Sequence, residues 1–398
     1  GTEAGGGFST RSGLALDSKN NVFIASYSIN SSNSVPLKFP RPTGQTPYFD
    51  SGNNCETTSE CYDALLGKFT NEMGLLEWGT FFGNDDGKDQ AFDCSIDKQT
   101  DDFYVVGRGS EIPTKNKSGA YNSSTGLAFI AKFNKNFVLE WSTKIATSGI
   151  NDQAKTIDIK STRNDKRIIV GGISEGNGSL PIVDPGGLAF TSNHSGLTDG
   201  FIMNFNSSLD IEWSTYVGGG GEDVINDCVF DNVNNIILTG WTNSLDYTTS
   251  TSPLQGFYQG GVNSFKGLNS VESDVAITKF NSDFELQKST YFGGSSNETG
   301  YDLAVDKENN FYTFITTSSD DGNIPFSQTK PTGFYEVQSL SEGHNTESDC
   351  FIAGFENTFF DDNFDLFWTT YFGGGGNHWV ANGRDGSYGI HISNNNEL

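Results

Sequence analysis

The chain has 398 residues, of which 50 are Asp or Glu and 24 are Lys or Arg, and its formal net charge is −26. Such an excess of carboxylates repels phosphate backbones and anionic lipid surfaces, which argues against nucleic acid as a partner. No apolar run approaches the roughly 18 residues of a membrane span, so no membrane insertion is expected. With 34% hydrophobic and 13% aromatic residues, the chain can nevertheless bury a core.

The chain begins with Gly1 rather than Met, and it has no secretory signal. This start is expected of a processed protein or of a fragment, and it fits a mature secreted protein. We therefore expect an extracellular or cell-surface location.

The first 83 residues contain four short runs in which apolar and polar residues alternate. Residues 13–16 and 22–24 flank a polar turn that starts at Asp17, and further runs follow at 64–69 and 78–83. Alternation around an Asp/Asn turn predicts antiparallel strands joined by a hairpin. The Asp17 carboxylate is expected to accept bonds from the turn, and Asn20 and Asn21 tolerate left-handed conformations.

The same four runs recur along the rest of the chain. The fourth run, which starts at Trp78, returns at Trp141, Trp213, Lys288 and Trp368. Four-stranded units at a fixed period are typical of β-propeller blades. We predict an all-β propeller in one domain over 1–398, with five complete repeats and the start of a sixth. The approximate repeats are 8–83, 84–147, 148–219, 220–294, 295–374 and the partial 375–398.

A ring closed at five blades would leave residues 377–398 without a place. More chain or a neighbouring molecule is therefore expected to complete the ring.

Aligned columns of the repeat predict which residues are buried. Cys94 and Cys228 share an apolar column of the first strand, so we expect them to be buried and unpaired. The Trp set keeps a fixed register, which favours packing between blades over ligand stacking.

The best local copy spans residues 213–243. It reads Trp-Ser-Thr-Tyr-Val-Gly-Gly at 213–219 and Ile-Leu-Thr-Gly-Trp-Thr-Asn at 237–243. This pattern, registered in five copies, resembles the bacterial-type β-propeller repeat known as the SBBP repeat. The resemblance implies an extracellular or surface propeller and no particular activity, since such propellers are mostly binding or structural modules. The chain departs from the pattern at Lys288, at the Asn-Asn turns, and after Thr143, where Gly-Gly is missing.

Long connections between the second and third strands of each repeat are candidate binding loops. They cover 28–62, 109–126, 174–198, 242–273 and 317–348. Their aromatic residues could stack on sugars, which makes a carbohydrate-binding module the alternative function. The candidates are Tyr258, Phe265, Phe334 and Tyr335.

Seven Asn-x-Ser/Thr sequons fall in predicted loops, where glycans could be attached. Roughly that number arises by chance in a chain this rich in Asn, Ser and Thr. The candidates are Asn30, Asn116, Asn122, Asn177, Asn193, Asn206 and Asn297. Cys55 and Cys61 lie in one polar stretch and are a candidate disulfide; zinc is the weaker interpretation, because no second Cys or His pair is nearby.

Asp93, Asp227 and Asp302 recur at one position, which we place just before the first strand of a blade. Together with Asp86, Glu222 and Asp223 they could form a ring of carboxylates that binds Ca²⁺, although turn capping is the simpler interpretation. The four His residues, His194, His344, His378 and His391, occupy no repeated position beside a nucleophile. We therefore predict no catalytic, cofactor-binding or metal-binding residues. The Gly runs at 218–221 and 373–376 are interpreted as tight turns between blades.

These patterns favour a secreted or surface protein with a non-catalytic structural or interaction role. A subunit of an extracellular filament or of an adhesive assembly would fit. The expected partners are proteins or copies of the chain itself, with glycans as a further candidate.

Overall fold

The structure, a computed structural model, describes about two thirds of the chain. The described residues are 13–30, 40, 47–50, 61–72, 74–83, 88–145, 149, 151–175, 180–187, 190–191, 193–247, 272–319, 324–325, 349–357, 364–372 and 389–392. They contain strands and turns and no helix. Accordingly, the described residues include no helix that is long and apolar enough to cross a membrane.

The chain forms five four-stranded antiparallel sheets, and in each sheet neighbouring strands follow the order of the sequence. The first sheet holds β1 (Gly13–Leu16), β2 (Val22–Asn30), β3 (Cys61–Phe69) and β4 (Leu76–Phe82). The second holds β5 (Gln90–Asp97), β6 (Asp102–Arg108), β7 (Ala128–Phe133) and β8 (Leu139–Lys144). The third holds β9 (Gln153–Ser161), β10 (Lys166–Glu175), β11 (Thr198–Phe205) and β12 (Ile211–Val217).

The fourth sheet holds β13 (Asp223–Phe230), β14 (Ile236–Thr242), β15 (Asp274–Phe280) and β16 (Leu286–Phe292). The fifth holds β17 (Glu298–Val305), β18 (Phe311–Thr317), β19 (Asp349–Asn357) and β20 (Phe364–Phe372). The predicted all-β class and the five four-stranded repeats are therefore confirmed.

The turn between the first two strands of a sheet is built by its Asp, as predicted. Asp17 Oδ1 accepts bonds from the backbone N–H groups of Lys19 and Asn21, each at 2.9 Å. Asp231 does the same for Val233 and Asn235 at 2.9 and 2.8 Å. Left-handed residues close these turns at Asn20, Asp101, Asn234 and Asn309.

The turn between the third and fourth strands places large apolar residues in a left-handed conformation, which the sequence did not suggest. Phe137, Leu209 and Phe284 have φ values of 64°, 69° and 69°. An L-residue pays a steric cost there. In compensation, Phe137 stacks on Trp78 with a ring-centre distance of 4.8 Å.

The chain divides into two compact units. One comprises Gly1–Val183, Met203–Ser214 and Asp385–Ser387, and the other Asp184–Ile202, Thr215–Arg384 and Tyr388–Leu398.

In the first unit, the main core lies between the first and second sheets, where Trp78 packs against Phe103, Phe133 and Phe137. Trp141 packs against Phe205 of the third sheet. Packing between sheets is thus confirmed for these two Trp residues.

In the second unit, aromatic residues fill the space between the fourth and fifth sheets. Phe292 of β16 packs against Phe351 and Phe355 of β19, and Phe311 stacks on Phe355. Cys94 in the first unit and Cys228 in the second are buried free thiols, as predicted.

Candidate functional site

The recurrent motif lies on the outermost strand of each sheet and reads Trp-Gly-Thr in β4 and Trp-Ser-Thr in β8 and β12. In these three sheets its polar atoms hold the long loops. Trp78 Nε1 donates to the carbonyl of Tyr48 at 3.1 Å. Trp141 Nε1 donates to the carbonyl of Tyr121 at 3.0 Å. Tyr48 and Tyr121 belong to the connections between the second and third strands, so each indole fixes the loop of its own sheet.

The Ser and Thr of the motif hold the same loops on the outer edge. Ser142 Oγ donates to the carbonyl of Pro113 at 2.6 Å, and Ser214 Oγ donates to that of Pro181 at 2.5 Å. Thr143 Oγ1 accepts from the backbone N–H of Ser123 at 2.7 Å, and Thr215 Oγ1 accepts from that of Thr191 at 3.0 Å.

The held segments also make backbone bridges to the outer strands. Lys115 bridges Ser142 and Thr191 bridges Tyr216, both antiparallel. A sheet edge leaves a row of unpaired N–H and C=O groups, and a loop laid along it covers them. The described parts of these loops are therefore fixed to the sheets, although the sequence predicted displayed loops.

Pairs of buried acidic residues recur where one sheet joins the next. Of their members the sequence suggested only Asp223, and it did not suggest the pairing. Parallel bridges join Tyr62 to Lys88 and Thr198 to Glu222. The residues that follow are Asp63 and Asp89 in one case and Asp199 and Asp223 in the other, so each bridge sets two carboxylates side by side. The sequence contains a signal for these pairs. An acidic residue at the start of the third strand of one repeat is followed, 24–26 residues later, by an acidic residue at the start of the first strand of the next repeat.

A third pair consists of Asp274 and Glu298. The backbone N–H of Glu298 donates to the carbonyl of Ser273 at 2.8 Å, which places the two acids together. A methyl group built on Gly293 would collide with Asp274 Oδ1 and would lie 2.6 Å from Glu298 Oε2. Both carboxylates thus face one point, and only a glycine fits between them.

The Asp199–Asp223 pair is the most deeply buried, with exposed fractions of 0% and 1%. A methyl group built on Gly218 would lie 2.8 Å from Asp223 Oδ2 and 2.9 Å from Asp199 Oδ1. Gly218 is therefore required by crowding rather than by the tight turn that the sequence suggested. Asp223 Oδ2 accepts from Ser244 Oγ at 2.7 Å and from the N–H of Gly219 at 2.8 Å. Within the described residues, the Oδ1 atoms of both acids have no hydrogen-bond partner.

Burial raises the pKa of Asp199 and of Asp223, and for Asp223 the neighbouring charge of Asp199 adds to it. Burial also raises the pKa of Glu298 to about 7, with a contribution from Asp274. Two carboxylates that share a buried site cannot both ionise cheaply, so the charge of one opposes ionisation of the other. His194 lies beside this pair, with its Nδ1 3.8 Å from Asp199 Oδ2.

The recurrent Asp93, Asp227 and Asp302 lie inside the first strands, not before them, and each sits at a register shift next to Ala91, Ile225 and Gly300 respectively. Such a bulge re-aims a side chain. Asp93 Oδ2 accepts from the N–H of Ile157 at 2.9 Å, and Asp227 Oδ2 accepts from that of Leu303 at 2.8 Å.

The carboxylates of Asp93 and Asp227 therefore each join the first strand of their own sheet to that of the next sheet. Asp302 Oδ2 accepts instead from the N–H of Ile390 at 2.6 Å. Among the described residues, no three or more His, Cys, Asp or Glu side chains are grouped to hold a metal ion. Asp86 lies outside the described residues.

Other predicted site residues are placed as follows. Asn116 and Asn193 are exposed, whereas Asn30 is the last residue of β2 rather than part of a loop. Asn122 Nδ2 donates to the carbonyls of Lys117 and Ala120 at 2.8 and 2.7 Å, so a glycan there would displace a loop bond. The amide oxygens of Asn206 and Asn297 accept backbone bonds from Ser208 and Ser273.

Several candidates lie outside the described residues. They are Asn177, Cys55 of the proposed disulfide, His344, His378, and the loop aromatics Tyr258, Phe265, Phe334 and Tyr335.

No family model matches the chain, and no curated protein matches it.

Proposed function

We propose that the five sheets are blades of a β-propeller, and that the protein is a non-catalytic structural or interaction module outside the cell. The observation that carries this proposal is that the recurrent polar side chains make structural contacts within and between the sheets. The Ser and Thr of the outer strands hold loops, and Asp93 and Asp227 join neighbouring sheets. Residues that recur in a repeat and serve packing in each copy point to a scaffold rather than to a reaction centre.

The blade arrangement is supported by the repetition of one joint. Asp93 joins the second sheet to the third, and Asp227 joins the fourth to the fifth through the same atoms and the same column. A repeated joint between like sheets rotates each sheet by a constant step, which is the geometry of a propeller. The resemblance of the motif to the SBBP repeat supports the same arrangement.

An extracellular role is supported by composition and surface. The net charge of −26 favours solubility and disfavours anionic partners, and Asn116 and Asn193 are exposed sequons. Filament or adhesive assembly is the version of this role that we favour, with proteins or further copies as partners.

Two-dimensional class averages of the purified protein test the arrangement. Four-stranded blades around a central axis are expected, and particles made of two separate sandwiches would contradict it.

Activity assays test the absence of catalysis. A panel of glycoside and polysaccharide substrates is expected to show no turnover. The wild type could instead turn over a substrate, and Asp199→Asn or Asp223→Asn could abolish this turnover without lowering the melting temperature. That result would reject the scaffold role and would show an enzyme that uses the buried acids.

A further inference from the structure

Two short segments of the second unit, residues 195–197 and residues 219–221, lie against each other and are together called the latch here. The backbone N–H of Leu197 donates to the carbonyl of Gly221 at 3.3 Å and joins the two segments. Leu197 is 73% exposed and Gly220 is exposed as well, so the latch lies at the surface. Other hydrogen bonds of the latch lead inward, to the buried acid pair beneath it.

The buried acid pair holds both segments of the latch. Asp199 Oδ2 accepts the backbone N–H of Ser195 at 2.5 Å, and Asp223 Oδ2 accepts that of Gly219 at 2.8 Å. The side chains of the two acids are almost completely buried. Because each carboxylate holds one segment, the distance between the two acids sets how closely the two segments lie.

The second oxygen of Asp199 faces the other acid and lacks a donor. A methyl group built on Gly218 would lie 2.9 Å from Asp199 Oδ1 and 2.8 Å from Asp223 Oδ2, so both carboxylates border one point. Within the described part of the chain, Asp199 Oδ1 has no hydrogen-bond partner. A buried oxygen without a partner costs free energy, and a proton on it would make it a donor toward the neighbouring acid.

The titratable side chains around the pair come from three further elements. His194, in the segment before β11, has its Nδ1 3.8 Å from the nearer carboxylate. Asp246, in the loop after β14, adds negative charge beside the pair. Tyr247 of the same loop and Tyr291 of β16 also face it, and burial raises the pKa of both phenols, so they stay neutral. Ionisation of both acids is therefore opposed by their mutual repulsion and by Asp246.

We propose that Asp199 and Asp223 hold one proton between them at mildly acidic pH, that they release it to solvent as pH rises, and that this release loosens the latch. Such a switch would be independent of the proposed scaffold role. Burial raises the pKa of both carboxyl groups above their ordinary value of 3.8, so folding favours the protonated pair. The contribution of the pair to stability is thus full at low pH and is lost as pH rises through the raised pKa values. Two ionised acids then repel each other, and the segments that they hold move apart.

Amide hydrogen exchange of the latch at pH 5 and pH 8 tests the switch, with each rate divided by the intrinsic rate of an unstructured peptide at that pH. In the wild type, protection of residues 195–197 and 219–221 is expected to fall about tenfold from pH 5 to pH 8. Asp199→Asn keeps a neutral, hydrogen-bonding side chain at both pH values, so its latch should be equally protected at both. Asp210→Asn, at an exposed acid in the turn after β11, removes one charge away from the pair and should respond like the wild type.

Equal protection of the wild-type latch at both pH values would overturn the inference, and this measurement decides even where Asp199→Asn does not fold. A wild-type pH response that persists in Asp199→Asn would overturn it too. His194→Gln identifies the group that senses pH. A response that this variant retains supports the acid pair, whereas a response that it abolishes assigns the sensing to the imidazole and rejects the shared proton.

Discussion

At the scale of single residues, the acid pairs show how the repeat tolerates variation. Leu127 occupies in the second sheet the position of Asp63, Asp199 and Asp274. Asp152, its neighbour in the third sheet, accepts two backbone bonds at 2.7 Å, from Gly149 and Glu175, and Leu127 adds no carboxylate to it. One acid is thus enough to accept the backbone bonds where two sheets meet, and a second acid adds like-charge repulsion.

Replacing Asp274 by Asn should relieve this repulsion. The folded pKa of Glu298 is about 7 against an ordinary value of 4.5, so its contribution to stability is full at low pH and is lost as pH rises through 7. We expect Asp274→Asn to raise the free energy of unfolding by about 1–2 kcal/mol at pH 8 and by much less at pH 5.

Urea unfolding at both pH values measures the effect, with Asp283→Asn, an exposed acid in the turn after β15, as control. An equal effect at pH 5 and pH 8 would show that the two acids do not share a proton.

The carboxylate of Asp93 offers a second test. It accepts from Cys94 at 2.7 Å and from Ile157 of the next sheet at 2.9 Å. Asp93→Ala leaves both N–H groups without this acceptor, and we expect a loss of about 2 kcal/mol in the free energy of unfolding. Asp158→Ala, whose carboxylate bonds the adjacent Ile159 at 2.7 Å, is the matched control. Equal losses would argue that the bond between sheets adds nothing.

At the scale of elements, the outer strand and its loop form one unit. Ser142→Ala/Thr143→Val removes the bonds to Pro113 and Ser123. Amide hydrogen exchange over residues 113–123 should accelerate about tenfold, while β6 and β7 keep their protection. Ser118→Ala, an exposed position in the same loop, controls for the substitution. Unchanged exchange would mean that the backbone bridge at Lys115 and the Trp141 indole hold the loop without the two hydroxyl groups.

The strands were predictable because the alternation of apolar and polar residues that marks a strand lies within the strand's own sequence. Alternation located β13 and β14, and the shared column identified Cys94 and Cys228 as buried. The partners of side chains were not predictable in this way. Ser142 reaches Pro113, 29 residues away, and a periodic pattern reports which face a residue occupies but not which loop crosses it.

The same limit explains why the contacts of the recurrent Asp residues were not predicted from the sequence. Asp227 looked like a residue preceding a strand, and only the bulge beside Ile225 turns its carboxylate toward Leu303. Phe137 gave no sign of a left-handed backbone, because its stacking on Trp78 of another sheet compensates for the strain.

At the scale of the whole molecule, charge is the dominant feature. The 50 acidic residues exceed the 24 basic ones by more than two to one, so the folded chain repels itself. Monovalent salt screens exposed charges over about 8 Å at physiological ionic strength. We therefore expect NaCl to raise the melting temperature of the protein progressively up to about 0.5 M.

The choice of cation separates screening from binding. The carboxylates of Asp93 and Asp227 already accept backbone N–H groups, so little free oxygen remains for a cation there. CaCl₂ at matched ionic strength should then shift the melting temperature no further than NaCl does. CaCl₂ could instead give a larger shift of the melting temperature that Asp227→Asn abolishes. That result would assign a calcium site to the first strands of the sheets, and a bound ion rather than a hydrogen bond would then join Asp227 to the next sheet.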